Sequence, residues 1–434
     1  MDVSFPTVSR RRAVRERRKI MEKAINREQD NYRFVTDSET ELLQEVQEME
    51  QNSRWLPGVP SKKIHVLPLE PIEVPIVVQK IADDPMLTRK VSLDAAMEAA
   101  DPAVGSHFIM TNEPNAWVLR DTAISSLHNT AKLFGSAFSR MTPYCSAEVL
   151  NNGLRAAPDK SLTLLLERYG RIAALHSDNG GGYRVMPISE LLSATTRKLN
   201  DRFGKVEFLG GENSHSATAC MWALPDKQDE MLTIYEDALD AHGITSVHSM
   251  NMMPVVKFFS SDTGNSCATA VPYFQKPAGN CVRFTDGIAV KHTRNSSGKD
   301  GVPAFEEALD GLYAQFTDMT EALDKLTSVQ IEHPENVLIG LSNKLGLPKK
   351  YADEARKDLA RLTAGMPFVP MHDVYLSMSD IPFYAKEAGA SQTTITNLEE
   401  QVAKILHMDK EWSRYDIGGT VEWGRQSYIP NQTF

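Results

Sequence analysis

The residues "FFSSDTGNSCATAVPYF" (258–274) decide the fold class of this chain. Two runs rich in β-branched and aromatic residues, 254–261 and 266–274, flank small polar residues and a glycine that are typical of a turn. Similar short runs occur at 205–210, 215–224, 280–286 and 288–294. Because short turns join consecutive strands, we predict an α+β fold, with an antiparallel β-meander packed on helices.

A hairpin and a helix are predicted just before the meander. The run "LTLLLERYGRIAALHS" (162–177) leads through a glycine-rich stretch at 178–182 into "YRVMP" (183–187), and we predict a β-hairpin around those glycines. The glycines could instead cradle a phosphate, but no Lys-Ser/Thr pair follows them and no helix begins directly after them. A helix is predicted over 188–203.

A long helix with a regular apolar pattern follows the strands. Its apolar residues recur at alternating intervals of four and three, which is an a/d pattern, and acidic residues occupy the other faces. Two interpretations stay open: the helix lies on the sheet, or its apolar seam joins copies of the chain into a homo-oligomer. The seam residues are Phe305, Leu309, Leu312, Phe316, Met319, Leu323 and Leu326.

Charge is unevenly distributed along the chain. The 434 residues have a formal net charge of -10, yet residues 1–35 contain ten basic and five acidic residues, and 36–50 contain six acidic residues and no basic one. Both stretches are predicted to be helical, with Ser9 and either Asp37 or Ser38 as N-caps. The basic arm either binds nucleic acid or a partner's acidic face, or is a solvated helix paired with its acidic neighbour.

Proline spacing and composition divide the chain into five regions. Closely spaced prolines predict an extended linker, and short helices are predicted at 92–101 and 122–139, with a turn at 151–153. Further helices are predicted at 347–362 and 394–406. The regions are a charged helical arm (1–51), a Pro-rich linker (52–77), a mixed helical region (78–160), the central α+β domain (161–330) and a helical C-terminal region (331–434).

Composition and motif searches exclude several classes of protein. The hydrophobic fraction of 41% is ordinary for a globular protein, and the sequence has neither a membrane-spanning apolar run nor a secretion signal. The four cysteines are far apart, which indicates free thiols in a reducing compartment. The histidines form no metal-binding or catalytic motif, so we expect no metal and no cofactor. The motifs do not point to an enzyme, although an active site assembled from distant positions stays open.

The strand region is locally basic and aromatic. Residues 251–299 contain six basic and two acidic residues, with aromatic residues interleaved. Cations for phosphates and aromatic faces for unstacked bases are what single-strand binding requires, although strand alternation places some of these aromatic residues in the core. The candidate nucleic-acid-binding residues are Arg184, Lys257, Phe258, Tyr273, Lys276, Arg283, Lys291 and Arg294.

Residues 160–330 resemble a phage- and plasmid-borne domain-of-unknown-function family (nine-three-two). The matching features are a serine-aspartate pair, a tyrosine and a helix-opening proline, here Ser177, Asp178, Tyr183 and Pro187. The run 258–274 is similar to the family's serine-x-x-glycine strand pair, and "GIAVKHTR" (287–294) to its late basic strand, here with His292. Residues 179–182 lengthen the turn relative to the family pattern. The resemblance implies a mobile-element origin and supplies no activity or catalytic residue.

The predicted meander backed by a helix is also similar in architecture to phage single-strand annealing proteins, which are ATP-independent and form rings or filaments. Fold likeness does not by itself establish function. Together with the local charge, these resemblances lead us to predict an oligomeric phage or mobile-element protein. It would bind and anneal single-stranded DNA in recombination or replication, in the cytoplasm of a bacterial host. The alternative is a non-enzymatic structural or interaction protein, such as a phage assembly or host-takeover factor.

Overall fold

A computed structural model describes residues 27, 29–68, 108–112, 115–133, 135, 137–177, 182–244, 252–264, 267–293 and 301–424. The strands are β1 (Arg33–Thr36), β2 (Ser53–Pro60), β3 (His65–Pro68), β4 (Phe108–Asn112), β5 (Asn115–Val118), β6 (Leu162–Arg168), β7 (Arg171–Ser177), β8 (Glu207–Ser214), β9 (Thr218–Ala223), β10 (Met253–Ser260), β11 (Ala268–Gln275), β12 (Cys281–Val282), β13 (Ile288–Val290), β14 (Gln330–Ile331) and β15 (Val369–Pro370).

The helices surround these strands. They are α1 (Glu39–Gln51), α2 (Asp121–Ala131), α3 (Pro143–Arg155), α4 (Ile188–Phe203), α5 (Gln228–Asp240), α6 (Val302–Leu309), α7 (Leu312–Thr317), α8 (Met319–Ser328), α9 (Pro334–Leu345), α10 (Lys349–Leu362), α11 (Met371–Met378), α12 (Ile381–Glu387), α13 (Gln392–Ala403) and α14 (Asp409–Tyr415). No helix in these described ranges is both long and apolar enough to cross a bilayer.

The main sheet has seven antiparallel strands in the order β1-β8-β9-β10-β11-β12, with β13 also paired to β11. The predicted α+β class, with an antiparallel meander packed on helices, is therefore confirmed. Two features were missed: β1 joins the sheet from the N-terminal region, and α5 lies between β9 and β10. The predicted helices at 188–203, 347–362 and 394–406 correspond to α4, α10 and α13.

Alternation along β10 sends its side chains to two different environments. Val256 and Phe258 enter a large apolar cluster, here called the main core, together with residues of α4, α6–α8 and the C-terminal helices. Val255 and Lys257 occupy the opposite face of the sheet, where Lys257 reaches Glu399 of α13. Helices therefore cover both faces of the sheet at β10.

The hairpin of β6 and β7 turns earlier than predicted. Arg168 pairs with Arg171, so the turn consists of Tyr169 and Gly170, which have φ values of 49° and 71°. Two consecutive positive φ angles characterise the type I′ turn, whose twist matches that of a two-residue hairpin. The prediction that the glycines at 178–182 form this turn is wrong, and residues 178–181 lie outside the described part of the chain.

A smaller unit, here called the small body, contains β2–β7, α2 and α3. Its sheets β2-β6-β7 and β3-β4-β5 enclose a second apolar cluster, the small core, which includes Met110, Leu127, Leu150 and Ile172. The stretch predicted as a linker is extended, but its described residues form β2 and β3, which are hydrogen-bonded to β6 and β4. Residues 69–77 and the predicted helix at 92–101 lie outside the described residues.

The predicted turn at 151–153 lies inside helix α3. The side-chain amide of Asn151 donates to the carbonyl of Val66 and accepts from its N–H, both at 2.8 Å. A Cβ on Gly153 would lie 2.5 Å from the carbonyl oxygen of Ala131, so glycine lets α2 and α3 approach closely. Asn151 and Gly153 are residue types typical of turns, but here they make the contacts of α3 with Val66 and with α2. The helix predicted at 122–139 begins at Asp121 and ends at Ala131.

The acidic helix near the N-terminus is confirmed as α1. The side chain of Ser38 accepts a hydrogen bond from the N–H of Glu41, so Ser38 is the N-cap. Glu45 accepts from Arg27 and from the buried hydroxyl of Tyr32. Most of the predicted basic helix, residues 1–26, lies outside the described residues.

The predicted long helix is three short helices, α6, α7 and α8, which are separated at Asp310–Gly311 and Asp318. All seven seam residues are at most 2% exposed and belong to the main core. The helix-on-sheet interpretation therefore accounts for the heptad spacing. Self-association stays a prediction, but the seam side chains are already occupied within their own chain.

Candidate functional site

A layer of polar and aromatic side chains lies between the small core and the main core. It is formed by β2, β6 and β7 of the small body and by the turns and strand ends of the main sheet. We call this layer the junction. Its residues are Trp55, Arg168, His176, Tyr183, His215, Asp262 and His292.

The turn after β10 lies at the centre of the junction. Asp262 accepts a hydrogen bond from Arg168 at its carboxylate (Nη2–Oδ2, 3.0 Å). Its backbone carbonyl accepts from His176 Nε2 at 2.9 Å and from the Tyr183 hydroxyl at 3.2 Å. Burial raises the pKa of the Asp262 carboxyl, while Arg168 acts in the opposite direction. One residue thus connects a cation, an imidazole and a phenol from distant parts of the chain.

The serine-x-x-glycine motif has a structural role in this turn. The Ser261 and Thr263 hydroxyls both donate to the backbone carbonyl of Ser216, at 2.6 and 3.1 Å. A Cβ on Gly264, whose φ is +80°, would lie 2.8 Å from Cε1 of His176. The serine therefore ties this turn to the β8–β9 turn, and the glycine makes room for the histidine ring.

Three rings stack at the junction. His176 and Tyr183 have centroids 4.0 Å apart at 6°, and Tyr183 and His292 have centroids 5.4 Å apart at 13°. Trp55 lies 5.5 Å from the Tyr183 ring. Burial lowers the pKa of His176 and of His292 to about 4, so both imidazoles are neutral at pH 7. The resemblance placed Tyr183 and His292 in separate motifs, and the structure brings them into contact.

His215 occupies the most buried part of the junction. Its Nε2 lies 2.7 Å from the carbonyl oxygen of Arg27, and its residue is 1% exposed. Burial lowers its pKa well below the usual value, and the charges of Arg120 and Arg168 lower it further. The adjacent cavity, also lined by Asp262, holds about 10 Å³, which is room for roughly one water molecule. A substrate-sized ligand does not fit there.

Phe258 and Tyr273, two of the predicted nucleic-acid-binding residues, are buried. Phe258 is in the main core, with no exposed surface. Tyr273 is on the opposite face of the sheet, and its hydroxyl lies 3.3 Å from Glu399. Neither ring is available to stack on a base, because strand alternation and the cover of α13 remove both from solvent.

Three of the predicted cations are paired with carboxylates of the helical C-terminal region. Lys257 lies 2.6 Å from Glu399, Lys276 lies 2.9 Å from Asp380, and Arg283 lies 3.2 Å from Glu400. Buried cations require such partners, because the charge is costly to desolvate. In this structure these positions do not form an exposed groove. The sequence shows acidic residues in the predicted helix 394–406. It does not show which cations those residues meet in the folded chain.

Arg184 and Lys291 are instead the chain neighbours of Tyr183 and His292, which belong to the ring stack. The N–H of Arg184 donates to the carbonyl of His292 at 2.9 Å, and Tyr183 forms a β-bridge with Thr293. Lys291 is exposed and makes no ion pair within the described ranges. Arg294 lies outside those ranges. Two of the eight predicted residues therefore directly adjoin aromatic rings that were not among the predicted binding residues.

Among the described residues, no group of three His, Cys, Asp or Glu side chains could hold a metal ion. Comparison with protein-family models, with curated proteins and with solved structures finds no match for this chain. The resemblance of residues 160–330 to the domain-of-unknown-function family stays a prediction.

Proposed function

We propose that the protein binds single-stranded nucleic acid at the margin of the junction, here called the aromatic edge. It consists of the half-buried rings of Trp55, His176 and Tyr183 and the neighbouring cations Arg184 and Lys291. The observation that carries this proposal is an exposed lysine, Lys291, which has no ion pair within the described residues and directly precedes His292 of the ring stack. This location differs from the sheet face that the sequence analysis favoured.

The rings are suited to stacking because they are held in place before any ligand binds. His176 and Tyr183 both donate to the Asp262 carbonyl, which limits the rotation of their side chains. Little side-chain entropy is lost when a base stacks on a ring that is already fixed. Stacking on an aromatic side chain contributes about 1–3 kcal/mol per base, with little dependence on sequence.

The cations at the edge are suited to phosphate contacts. Lys291 is exposed and unpaired within the described residues, whereas Lys257, Lys276 and Arg283 are neutralised by carboxylates. Each phosphate neutralised on a single strand changes log K by roughly 0.7 per log unit of salt. Two contacts predict a slope of about 1.4 in magnitude.

The biological role proposed for this binding is ATP-independent annealing by a phage or mobile-element protein in the cytoplasm of a bacterial host. This part of the proposal rests on the resemblances to the domain-of-unknown-function family and to the single-strand annealing proteins. Annealing by an oligomer would need a contact other than the seam residues, since these are buried in the main core.

Fluorescence anisotropy with a labelled single-stranded DNA of about 30 nucleotides tests the proposal. We expect binding at 50 mM salt that weakens as salt rises, and a loss of at least tenfold in affinity for Lys291→Glu. Arg184→Gln is expected to weaken binding less, because it removes a charge without reversing it. The matched control is Lys410→Glu, the same charge change on an exposed residue of α14.

Two results would overturn the proposal. One is no anisotropy change at 50 mM salt, which would favour the structural or interaction role. The other is an equal loss of affinity for Lys291→Glu and Lys410→Glu, which would show that only net charge matters. Circular dichroism of each variant checks that the fold is retained.

A further inference from the structure

We infer that the junction is a pH-controlled latch: neutral His176, His215 and His292 hold the small body on the main sheet, and their protonation releases it. We call these three residues the latch histidines. This inference concerns how two parts of the fold are coupled, and it does not depend on the proposed binding of nucleic acid.

Beside a small apolar cluster of Tyr32, Met49 and Tyr169, the contacts between the two parts at the junction are polar. The small core and the main core are separate clusters of buried apolar residues. Between them, Arg168 of β6 donates to the Asp262 carboxylate and to the His215 carbonyl, each at 3.0 Å. His176 of β7 donates to the Asp262 carbonyl. Contacts of this kind respond to charge far more strongly than packed apolar side chains do.

His176 and His292 both contact the ring of Tyr183. The groups that face His176 are the Asp262 carbonyl, Trp55, Tyr183 and, by its charge, His292. The groups that face the His292 imidazole are the Tyr183 hydroxyl, 3.3 Å from Nδ1, and the backbone of Arg184. No carboxylate within the described chain pairs with either ring, so a proton on one of them would be a buried and uncompensated charge.

His215 is in an environment that already contains several cations. The charged groups around it are Arg27, Arg120, Arg168, Asp30, Glu50 and Asp262. The rings of Tyr32 and Tyr169 lie 5.5 and 6.1 Å from the imidazole. Arg168 is engaged by Asp262, and Arg120 by Asp30, so these acids already have cationic partners. An imidazolium at position 215 would add a cation where Asp30 and Asp262 are already paired with arginines, while Glu50 accepts hydrogen bonds from Ser189.

The direction of the pH effect follows from the pKa values. The pKa values of His176 and His292 fall from 6.5 to about 4 on burial, and that of His215 also falls. The open state therefore binds more protons, and the latch is fully stabilised above pH 6.5 and loses stability as the pH falls toward 4. Asp262 acts in the opposite sense, because its raised pKa favours proton uptake in the closed state. Three histidines therefore act in one direction and one carboxyl group in the other.

Hydrogen exchange of the full chain between pH 7 and pH 5, corrected for the intrinsic exchange rate, tests the latch. We expect protection of β7 and of the turn at 261–264 to fall at least tenfold over this range. Helices α9 and α10 lie outside the junction and are expected to keep their protection. Unchanged protection of the junction, or an equal loss in α9 and α10, would overturn the inference.

Substitution separates histidine titration from general acid sensitivity. His176→Gln and His215→Gln keep an N–H near the position of Nε2, and His292→Asn keeps a side-chain amide that can hydrogen-bond near the position of Nδ1. The triple variant is expected to keep its junction protection at pH 5. His407→Gln is the control, because His407 is exposed and pairs with Asp286 outside the junction. If the triple variant does not fold, His215→Gln alone is expected to reduce the loss of junction protection between pH 7 and pH 5. A wild-type pH response in the variant tested would overturn the inference.

Discussion

The guanidinium of Arg168 and the carboxylate of Asp262 lie 3.0 Å apart, with side chains only 4% and 9% exposed. Arg168 ends the first strand of the small body's hairpin, and Asp262 lies in the turn after β10 of the main sheet. The two residues are 94 positions apart in the sequence. A buried ion pair therefore joins the two parts of the fold, at the point where the ring stack is also anchored.

Arg168→Ala is expected to lower the free energy of unfolding by about 3–5 kcal/mol, because it leaves the Asp262 carboxylate buried without its cation. Urea unfolding measures this change. Arg197→Ala, which breaks an ion pair with Glu306 at side-chain exposures of 57% and 37%, is the control and should cost about 0–1 kcal/mol. Equal losses in the two variants would contradict the importance given to the buried pair.

Leu323→Ala tests whether the apolar heptad residues stabilise the core of their own chain or an interface between copies. Leu323 has no exposed surface, so its truncation is expected to destabilise the chain by about 2–5 kcal/mol through lost burial and a cavity. Light scattering should give the same mass in solution for the variant and the wild type. Leu362→Ala, at a residue that is 54% exposed, is the control and should change stability by less than about 0.5 kcal/mol. A change in mass without loss of stability would instead place Leu323 at an interface between copies.

Gly340→Ala tests a close approach in the C-terminal region. A Cβ on Gly340 of α9 would overlap the ring of Tyr415 and lie 2.8 Å from its Cβ. We expect a loss of about 1–3 kcal/mol from overpacking, measured by urea unfolding. Gly418→Ala is the control, since its nearest contact would be at an ordinary 3.7 Å. Adding Tyr415→Ala to Gly340→Ala should relieve the overlap, so the double variant should be more stable than the sum of the two single losses predicts. If the two losses of unfolding free energy simply add, the overlap does not explain the effect of Gly340→Ala.

Gly170→Ala tests the position of the hairpin turn. Gly170 has a φ of 71°, and an alanine forced into the left-handed region costs about 1–2 kcal/mol. The free energy of unfolding should fall by that amount. Gly182→Ala, in the stretch that the sequence analysis favoured for the turn, should leave stability nearly unchanged because Gly182 is exposed and lies outside the hairpin. The reverse order of effects would support a turn at 178–182 instead.

The sequence by itself was sufficient for the α+β class, the meander, helices such as α4 and an N-cap for α1 at Asp37 or Ser38, of which the structure shows Ser38. These features depend on local information: strand and helix periodicity, turn residues and a side chain that reaches a backbone N–H three residues away. The hairpin turn also has a local signal, Gly170. The prediction instead placed the turn at the run of glycines in 178–182.

Only the tertiary structure decided which predicted site residues face solvent. Lys257 is neutralised by Glu399, 142 positions away, and Tyr183 meets His292 across 109 positions. Strand alternation predicts that residues occupy two faces, but it contains no information about which distant helix covers each face. The aromatic edge and the junction arise from such contacts between distant residues. The free energy of these contacts depends on burial and ion pairing, which a local sequence pattern does not determine.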